Sequence, residues 1–197
     1  MPRKTQRNTK GKIVTAAWKL FYEQGYENTT VEDILALSGT SKGTFYHYFE
    51  GKDALLGTLS EVFDQKYEEL IPAIPDDMNS IEALRYLNRE LFSMIDNSIS
   101  LELLARLLST QLVTRGEKHL LDRDRVYFRL LRRIITRGQE RGEIRSDMTV
   151  NEITKAYALM ERALMYDWCL CGGEYSLHKY SDEMMRMFLS NYAVPEK

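Results

Sequence analysis

Residues 41–49 read SKGTFYHYF and combine a cation, a glycine and several hydrogen-bonding rings in one short stretch. On a helix that turns about 100° per residue, Phe45, Tyr48 and Phe49 fall on one apolar face. The other side of that helix carries Lys42, Gly43, Thr44, Tyr46 and His47. We therefore predict a short helix that three aromatic rings hold against the protein and that turns a polar face outward.

The outward face of this helix has chemistry that suits DNA. A lysine can reach a guanine edge or a phosphate, and tyrosine and histidine can bond phosphates while their rings lie against sugars or thymine methyl groups. Gly43 has no side chain, so its backbone can approach a duplex closely. A short packed helix in some other bundle is the competing interpretation, but it does not explain why Lys42 and Gly43 share one exposed arc.

Further polar residues are predicted to hold the phosphate backbone rather than to read bases. Ser41 is the expected N-cap of the helix, where free N–H groups and the helix dipole favour an anion. Lys52 follows the helix and can clamp a phosphate beside it. The complete predicted DNA-binding set is Thr30, Ser41, Lys42, Gly43, Thr44, Tyr46, His47, Tyr48 and Lys52.

The segments before this helix also follow the helical period of 3.6 residues. A first helix that includes residues 13–21 is expected to close at Gly25. Thr30 and Asp33 have the spacing of a capping box for a second helix, which ends at Gly39. Two short helices joined by a tight turn form the helix-turn-helix arrangement. The predicted apolar face of the second helix consists of Ile34, Leu35 and Leu37.

The rest of the chain shows no alternating strand pattern, so we predict an all-α fold of about nine helices. A helix over 52–70 is stopped by prolines within the predicted linker 71–80. A helix-turn-helix domain over 1–56 is thus joined through helix 52–70 to a second helical domain over 72–197. The later helices are predicted over 81–97, 99–115, 122–141, 149–171 and 177–192.

The composition is that of an ordinary globular protein, since its 197 residues are 44% hydrophobic and 28% charged. No apolar run predicts a secretion signal or a membrane span, and two cysteines form no disulfide framework, so a cytoplasmic protein is expected. Residues 1–56 carry eight basic and six acidic side chains (+2), and residues 57–197 carry nineteen and twenty-three (−4). A modestly basic N-terminal part followed by an acidic remainder suits a polyanionic partner.

Other candidate groups carry weaker signals. The basic residues within 3–12 can form either a solvated end or a DNA-contacting arm. The three histidines have no metal-ligand spacing and no catalytic motif or phosphate loop occurs, so no metal, cofactor or enzymatic activity is predicted. Cys169 and Cys171 point to different sides of a helix, which favours a structural role over redox sensing.

Residues 29–56, TTVEDILALSGTSKGTFYHYFEGKDALL, resemble the N-terminal DNA-binding domain of TetR/AcrR-type transcriptional regulators. Three positions depart from the family pattern, namely Ser38, Thr40 and Gly51, and they affect local packing only. Beyond about residue 60 the resemblance is one of architecture. The matching positions are Thr29, Thr30, Val31, Ile34, Gly39, Ser41, Lys42, Gly43, Tyr46, Tyr48, Phe49, Lys52 and Leu55.

The resemblance implies a C-terminal domain that dimerises through its last two long helices and usually binds a small molecule. The apolar stripes of those two helices supply the predicted homodimer interface. Several aromatic and apolar residues are of types that can line a cavity between helices, and we predict a ligand pocket from them. Each of these residue types is more often found in a hydrophobic core. The interface candidates are Met160, Leu164, Met184, Met187 and Phe188. The pocket candidates are Tyr86, Phe92, Met94, Leu131, Tyr157, Met165 and Trp168.

Two functional hypotheses follow from these patterns. The first is a ligand-responsive dimeric transcriptional regulator, in particular a repressor that binds a palindromic operator in double-stranded DNA until a small-molecule effector releases it. The second is a helical small-molecule-binding protein or enzyme that does not bind DNA. The outward face within 42–47 distinguishes them, because retention on heparin that weakens with salt would support the first.

Overall fold

The computed structural model describes residues 3–113 and 118–195, with side chains from residue 9 onward. In this part of the chain, strand pairing is confined to one isolated bridge between Ile144 and Ala193. The predicted all-α fold is thereby confirmed. The described residues form nine α-helices: α1 Arg3–Gln24, α2 Val31–Ser38, α3 Lys42–Tyr48, α4 Leu59–Leu70, α5 Ser80–Ser98, α6 Leu101–Val113, α7 Val126–Glu140, α8 Val150–Leu170 and α9 Leu177–Ser190.

Local capping chemistry fixes the bounds of the first three helices. Thr30 and Asp33 form the predicted capping box at the start of α2, and Gly39 ends α2 with a φ of 65°. That left-handed conformation carries no steric penalty for glycine. The Ser41 hydroxyl accepts a hydrogen bond of 3.2 Å from the Thr44 backbone N–H and thereby caps α3.

The connection between the N-terminal helices and the rest of the protein differs from the prediction. The expected continuous helix over 52–70 is a 3₁₀ helix over Lys52–Thr58 followed by α4, and a second 3₁₀ turn covers Ile71–Ala73. The 3₁₀ segment is tied to α1, because the Trp18 indole N–H donates to the Thr58 hydroxyl at 2.8 Å. A further 3₁₀ turn, His119–Leu121, lies between α6 and α7.

The buried apolar residues form one continuous cluster that runs from Ile13 in α1 to Leu189 in α9. In the C-terminal half, α5 packs mainly against α9 and α7, and α8 packs against α6, α7 and α9. The division into domains 1–56 and 72–197 stays a prediction, because packing is not interrupted at residue 56. The predicted basic segment 3–12 belongs to α1, but the side chains of residues 3–8 lie outside the described part.

Direct contacts also join α6 to the N-terminal helices. The Arg106 guanidinium pairs with Glu27, and it lies 4.8 Å from the ring centroid of Tyr26. A side chain at Gly57 would approach the His119 ring to 2.9 Å, so the 3₁₀ segment and the turn after α6 are in close contact. The N-terminal helices are therefore held by α6 as well as by α4.

Candidate nucleic-acid interface and effector pocket

Helix α3 is held in place by its aromatic face. The Phe45 side chain is fully buried and its ring lies 5.7 Å from that of Phe49, which is also buried. Tyr48 is half-buried, with its ring 4.8 Å from the His47 ring. Leu37, which the helical period placed on the buried face of α2, is instead 45% exposed. Only Ile34 is fully buried in α2, because this helix is short and packs along a single line.

The opposite side of α3 is open, as the helical phase predicts. Lys42, Gly43 and His47 are exposed, and Tyr46 is 48% exposed. A Cβ built on Gly43 would meet no atom within 4 Å, so packing inside this protein does not require glycine there. An absent side chain on an open helix surface favours close approach by a partner from outside.

The hydroxyl groups near this face are engaged in capping. The Thr30 hydroxyl accepts from the Asp33 backbone N–H at 3.1 Å and donates to the Asp33 carboxylate at 2.7 Å. Hydrogen bonds from Thr30 lower the pKa of the Asp33 carboxyl, so this group is ionised at neutral pH. The Ser41 and Thr44 hydroxyls lie 2.8 Å apart. A phosphate contact by any of these hydroxyls stays a prediction. The hydroxyl would have to bind the phosphate while it also keeps its capping hydrogen bond.

Lys52 is not the free phosphate clamp that its position in the sequence suggested. Its ammonium donates to the backbone carbonyls of Tyr26 and Thr29, at 2.7 and 2.9 Å. It also lies 4.2 Å from the Tyr26 ring centroid. An ammonium group has three N–H donors, so one remains for a phosphate. In this structure the main task of Lys52 is to fix the 3₁₀ segment against the loop between α1 and α2.

Comparison with known proteins identifies the fold that carries this face. Residues 13–59 match the model of the family described as bacterial regulatory proteins, tetR family. The transcriptional repressor DhaR of Mycobacterium sp. (strain GP1) is 26% identical over 147 residues, covering 69% of this chain and 70% of that protein. Residues 13–59 therefore form a domain of the tetR family. The helix-turn-helix of this domain is α2 and α3, and the protein is a DNA-binding transcriptional regulator.

Two further comparisons extend beyond the N-terminal domain. The fatty acid metabolism regulator protein of Bacillus subtilis (strain 168) is 24% identical over 179 residues, covering 90% of this chain and 92% of that protein. The crystal structure of the regulator FadR from Bacillus subtilis in complex with stearoyl-CoA superposes with a TM-score of 0.69. The two sequences are 23% identical, and the superposition covers 92% of this chain and 98% of the FadR chain. The shared fold therefore includes the C-terminal helices.

Most of the predicted ligand-pocket residues belong to the core, and a pocket formed by all seven stays a prediction. Tyr86 and Met94 are half-buried and the other five are buried. A cavity of about 30 Å³ lies between α4, α7 and α8, and of the seven candidates only Met165 lines it. Tyr157 and Trp168 instead support neighbouring backbone, through hydrogen bonds of 2.8 Å to the carbonyls of Leu84 and Tyr175. Such a cavity holds about one or two water molecules, so an effector would have to widen it.

The same cavity contains a buried acidic residue that the sequence analysis missed. Glu161 is only 2% exposed, and its carboxylate accepts hydrogen bonds from the Tyr127 hydroxyl at 2.7 Å and the Asn88 amide at 2.9 Å. The signal was present in the sequence, because Glu161 shares the apolar helical face of Tyr157 and Leu164. An acidic residue on a buried helix face requires an explanation.

Burial raises the pKa of the Glu161 carboxyl above its ordinary value of 4.5, although hydrogen bonds from Tyr127 and Asn88 oppose the shift. The folded state therefore holds this proton to higher pH than the unfolded chain does. Its contribution to the free energy of unfolding is present below pH 4.5 and is lost as pH rises through the raised pKa.

We accordingly expect Glu161→Gln to gain stability relative to the wild type as pH rises from 4 to 8. Glutamine keeps the shape and the hydrogen-bonding oxygen but does not ionise, so the cost of a buried charge disappears. Urea unfolding of both proteins across this range measures the difference. Glu140→Gln, at an exposed position at the end of α7, is the matched control and should show no such trend. A constant difference between Glu161→Gln and the wild type would contradict the shifted titration.

The predicted dimer-interface residues fall into two groups. Met187 is 58% exposed, and Met160, Met184 and Phe188 are half-buried. Leu164 is only 5% exposed and belongs to the core of its own subunit, so the prediction for this residue needs correction. Exposed apolar side chains that the sequence analysis did not select are Leu159, Tyr166 and Leu170 on α8 and Tyr180 on α9.

Other candidate chemistry is limited in the described part of the chain. No group of three or more histidine, cysteine and acidic residues there is placed to hold a metal ion. Burial raises the pKa of the Cys169 thiol to about 11, which disfavours the reactive thiolate. None of the described helices combines the length and apolarity needed to cross a bilayer.

Proposed function

We propose that this protein is a homodimeric TetR-family repressor that binds a palindromic operator and is released from it by a small-molecule effector. The observation that carries the proposal is the arrangement of α3. One side of this helix is open and polar, and Phe45 anchors the helix from its buried side. The proposed base-reading residues are Lys42, Gly43, Tyr46 and His47, with Thr44 beside them. Thr30, Ser41, Tyr48 and the third N–H of Lys52 are assigned to phosphates.

The dimer is proposed from the apolar surface of the last two helices. Leu159 and Leu170 on α8 are 62% and 71% exposed, and Met187 on α9 is 58% exposed. Large apolar side chains that cluster on two adjacent helices are typical of an interaction surface. A two-fold dimer through α8 and α9 would also present two copies of α3 to two half-sites.

Release by an effector is proposed from the way the helices are joined. The C-terminal helices reach the DNA-binding helices through α4 and through the contacts of Arg106 with Glu27 and Tyr26. A ligand that separates α4 from α7 would shift the connection through α4. The Bacillus subtilis FadR, solved in complex with stearoyl-CoA, supports a small-molecule effector for this fold. An effector-controlled repressor of this type acts in the cytoplasm, without a catalytic step or a membrane partner.

Selection of bound sequences from random double-stranded oligonucleotides tests the proposal. We expect enrichment of a palindrome whose half-sites are about one helical turn apart, or a multiple of it. Affinity should fall steeply with salt, since phosphate contacts release counterions. Failure to enrich any sequence, with no salt-dependent retention on heparin, would favour the rival interpretation of a helical small-molecule-binding protein or enzyme.

Lys42→Ala is expected to weaken binding to the selected operator by about 1–3 kcal/mol, because a lysine that reaches a base edge or phosphate is lost. The folded state should be unaffected, since Lys42 is exposed and its only described ion pair is the exposed contact with Glu32 at 3.5 Å. Fluorescence anisotropy with labelled operator measures the change. Lys179→Ala, which removes an exposed lysine from α9, is the matched control. Equal effects of the two substitutions would contradict the assignment of α3.

A further inference from the structure

The cavity between α4, α7 and α8 contains a buried carboxyl group that has no ion-pair partner among the described residues. Glu161 forms no ion pair with any described residue, although it is almost completely buried. The nearby Arg125 is already paired with Asp64 at 2.9 Å. A buried ionised carboxylate is costly unless a cation compensates it. A neutral residue would fold more stably here, so the carboxylate points to a ligand.

Aromatic rings surround this carboxylate. The rings of Tyr67 and Tyr127 lie 5.1 Å apart and are inclined by 35°, and both side chains are buried, as is that of Tyr157. Burial and the Glu161 carboxylate raise the pKa of the Tyr127 phenol well above its ordinary value, so it remains a neutral donor. Aromatic faces together with a carboxylate attract ammonium groups, and the attraction is strongest where water is excluded.

Two buried polar atoms near Glu161 lack hydrogen bonds with the described residues. The Tyr67 hydroxyl and the Asn88 carbonyl oxygen are buried and have no hydrogen-bond partner among the described residues. Buried polar groups without partners are rare in folded proteins and call for an explanation. A ligand whose ammonium group enters between the tyrosines can donate to these oxygens as well as to Glu161. The site therefore has unused hydrogen-bonding capacity beside a carboxyl group without an ion-pair partner in the described part of the chain.

The remaining lining of the cavity is apolar. Phe63 from α4, Leu120 from the turn before α7 and Met165 from α8 contribute to it. Methionine and leucine side chains can rearrange around an apolar body, and methionine is especially adaptable. The half-buried Arg162 also lines the cavity, which places it next to the protein surface. An apolar group attached to the ammonium can therefore be accommodated by widening this space.

We propose that Glu161, Tyr67 and Tyr127 form the head-group site for a lipophilic ammonium effector, a positively charged amine on an apolar body. This inference rests on the proposed function, because it names the effector class of the same regulator. An ammonium group at Glu161 separates α4 from α7 and α8, since the cavity is too small to hold it otherwise. Helix α4 continues the 3₁₀ segment that Lys52 fixes to the DNA-binding helices, so this movement changes the position of α3.

The site favours a cation over the anionic thioester bound by the Bacillus subtilis FadR. A carboxylate that already lacks a counterion repels an anionic head group. Basic side chains suited to an anion line an open groove between α7 and α8, namely Arg123, Arg132, Lys155 and Arg162, and of these only Arg162 also lines the Glu161 cavity. Binding of an acyl-CoA in that groove is the main competing outcome.

Calorimetry on the full chain without DNA tests the inference. The probes are decyltrimethylammonium, decanol and decyl sulfate, which share one apolar chain and differ in the charge of the head group, each below its micelle concentration. We expect the ammonium to bind at least about tenfold more tightly than either of the others, which corresponds to about 1.4 kcal/mol. Stearoyl-CoA is measured in parallel.

Two variants localise the binding. Glu161→Gln should remove the preference for the ammonium and leave the affinity for decanol unchanged, whereas Glu140→Gln should keep the wild-type pattern. Equal affinity for the three probes, an unchanged preference in Glu161→Gln, or binding of stearoyl-CoA in place of the ammonium would each overturn the inference.

Anisotropy with the selected operator is recorded separately. A wild-type protein that binds no operator would refute the proposed function but not the effector site. A wild-type protein that binds operator but does not prefer the ammonium would refute the effector site but not the proposed function. When operator binding and the ammonium preference are both intact, the ammonium probe should lower operator affinity of the wild type and not of Glu161→Gln. An ammonium that binds at Glu161 without affecting operator affinity would overturn its role as effector.

Discussion

Phe45→Ala is expected to lower the free energy of unfolding of the N-terminal helices by about 3–5 kcal/mol, the usual cost of removing a buried phenylalanine. Phe45 is fully buried and contacts the ring of Phe49, so the substitution leaves a cavity under α3. Thermal and urea unfolding measure the loss. Operator binding should disappear as well, because α3 can no longer be held at a fixed position.

Tyr46→Ala provides the comparison, since the two residues are adjacent on α3 but Phe45 is buried and Tyr46 is about half exposed. Tyr46 is 48% exposed and its ring meets the Phe45 ring at 5.4 Å, so its removal should lower the free energy of unfolding by about 0.5–1.5 kcal/mol, well below the Phe45 loss. It should nevertheless weaken operator binding by about 1–3 kcal/mol if the ring contacts DNA. Similar losses of stability in the two variants would show that the orientation of α3 is wrong.

Leu170→Asp and Met187→Asp are expected to convert the proposed dimer into monomers at micromolar concentration. Each substitution places a charge at an exposed apolar position, 71% and 58% exposed in the single subunit, so the subunit itself should fold normally. In a two-fold interface the same charge is buried twice, at a cost of several kcal/mol for each copy. Operator affinity should then fall to that of a single DNA-binding domain, a loss of at least about 100-fold.

Sedimentation velocity and operator anisotropy measure both effects. Leu112→Asp is the matched control, because Leu112 is 69% exposed but lies on α6. Leu164→Glu, which the sequence alone suggests, is unsuitable because Leu164 is 5% exposed and its replacement would unfold the subunit. A wild-type protein that sediments as a monomer at micromolar concentration would refute the dimer directly.

The sequence by itself determined the features that depend on neighbours within one or two helical turns. The capping box of Thr30 and Asp33, the cap at Ser41 and the turn at Gly39 follow from residue types at fixed spacing. The burial of Phe45 and the exposure of Tyr46 follow from the helical period alone. These local rules also carry the family resemblance, which the match over residues 13–59 confirms.

Only the tertiary structure decided which groups meet across the chain. Lys52 is drawn to two carbonyls more than twenty residues away, and Glu161 meets Tyr127 and Asn88 from other helices. Helical period shows that α8 has an apolar face, but it does not distinguish residues packed within the subunit from residues left for a partner. Leu164 was misassigned for this reason, since burial is set by the helices that pack around α8 and not by spacing along it.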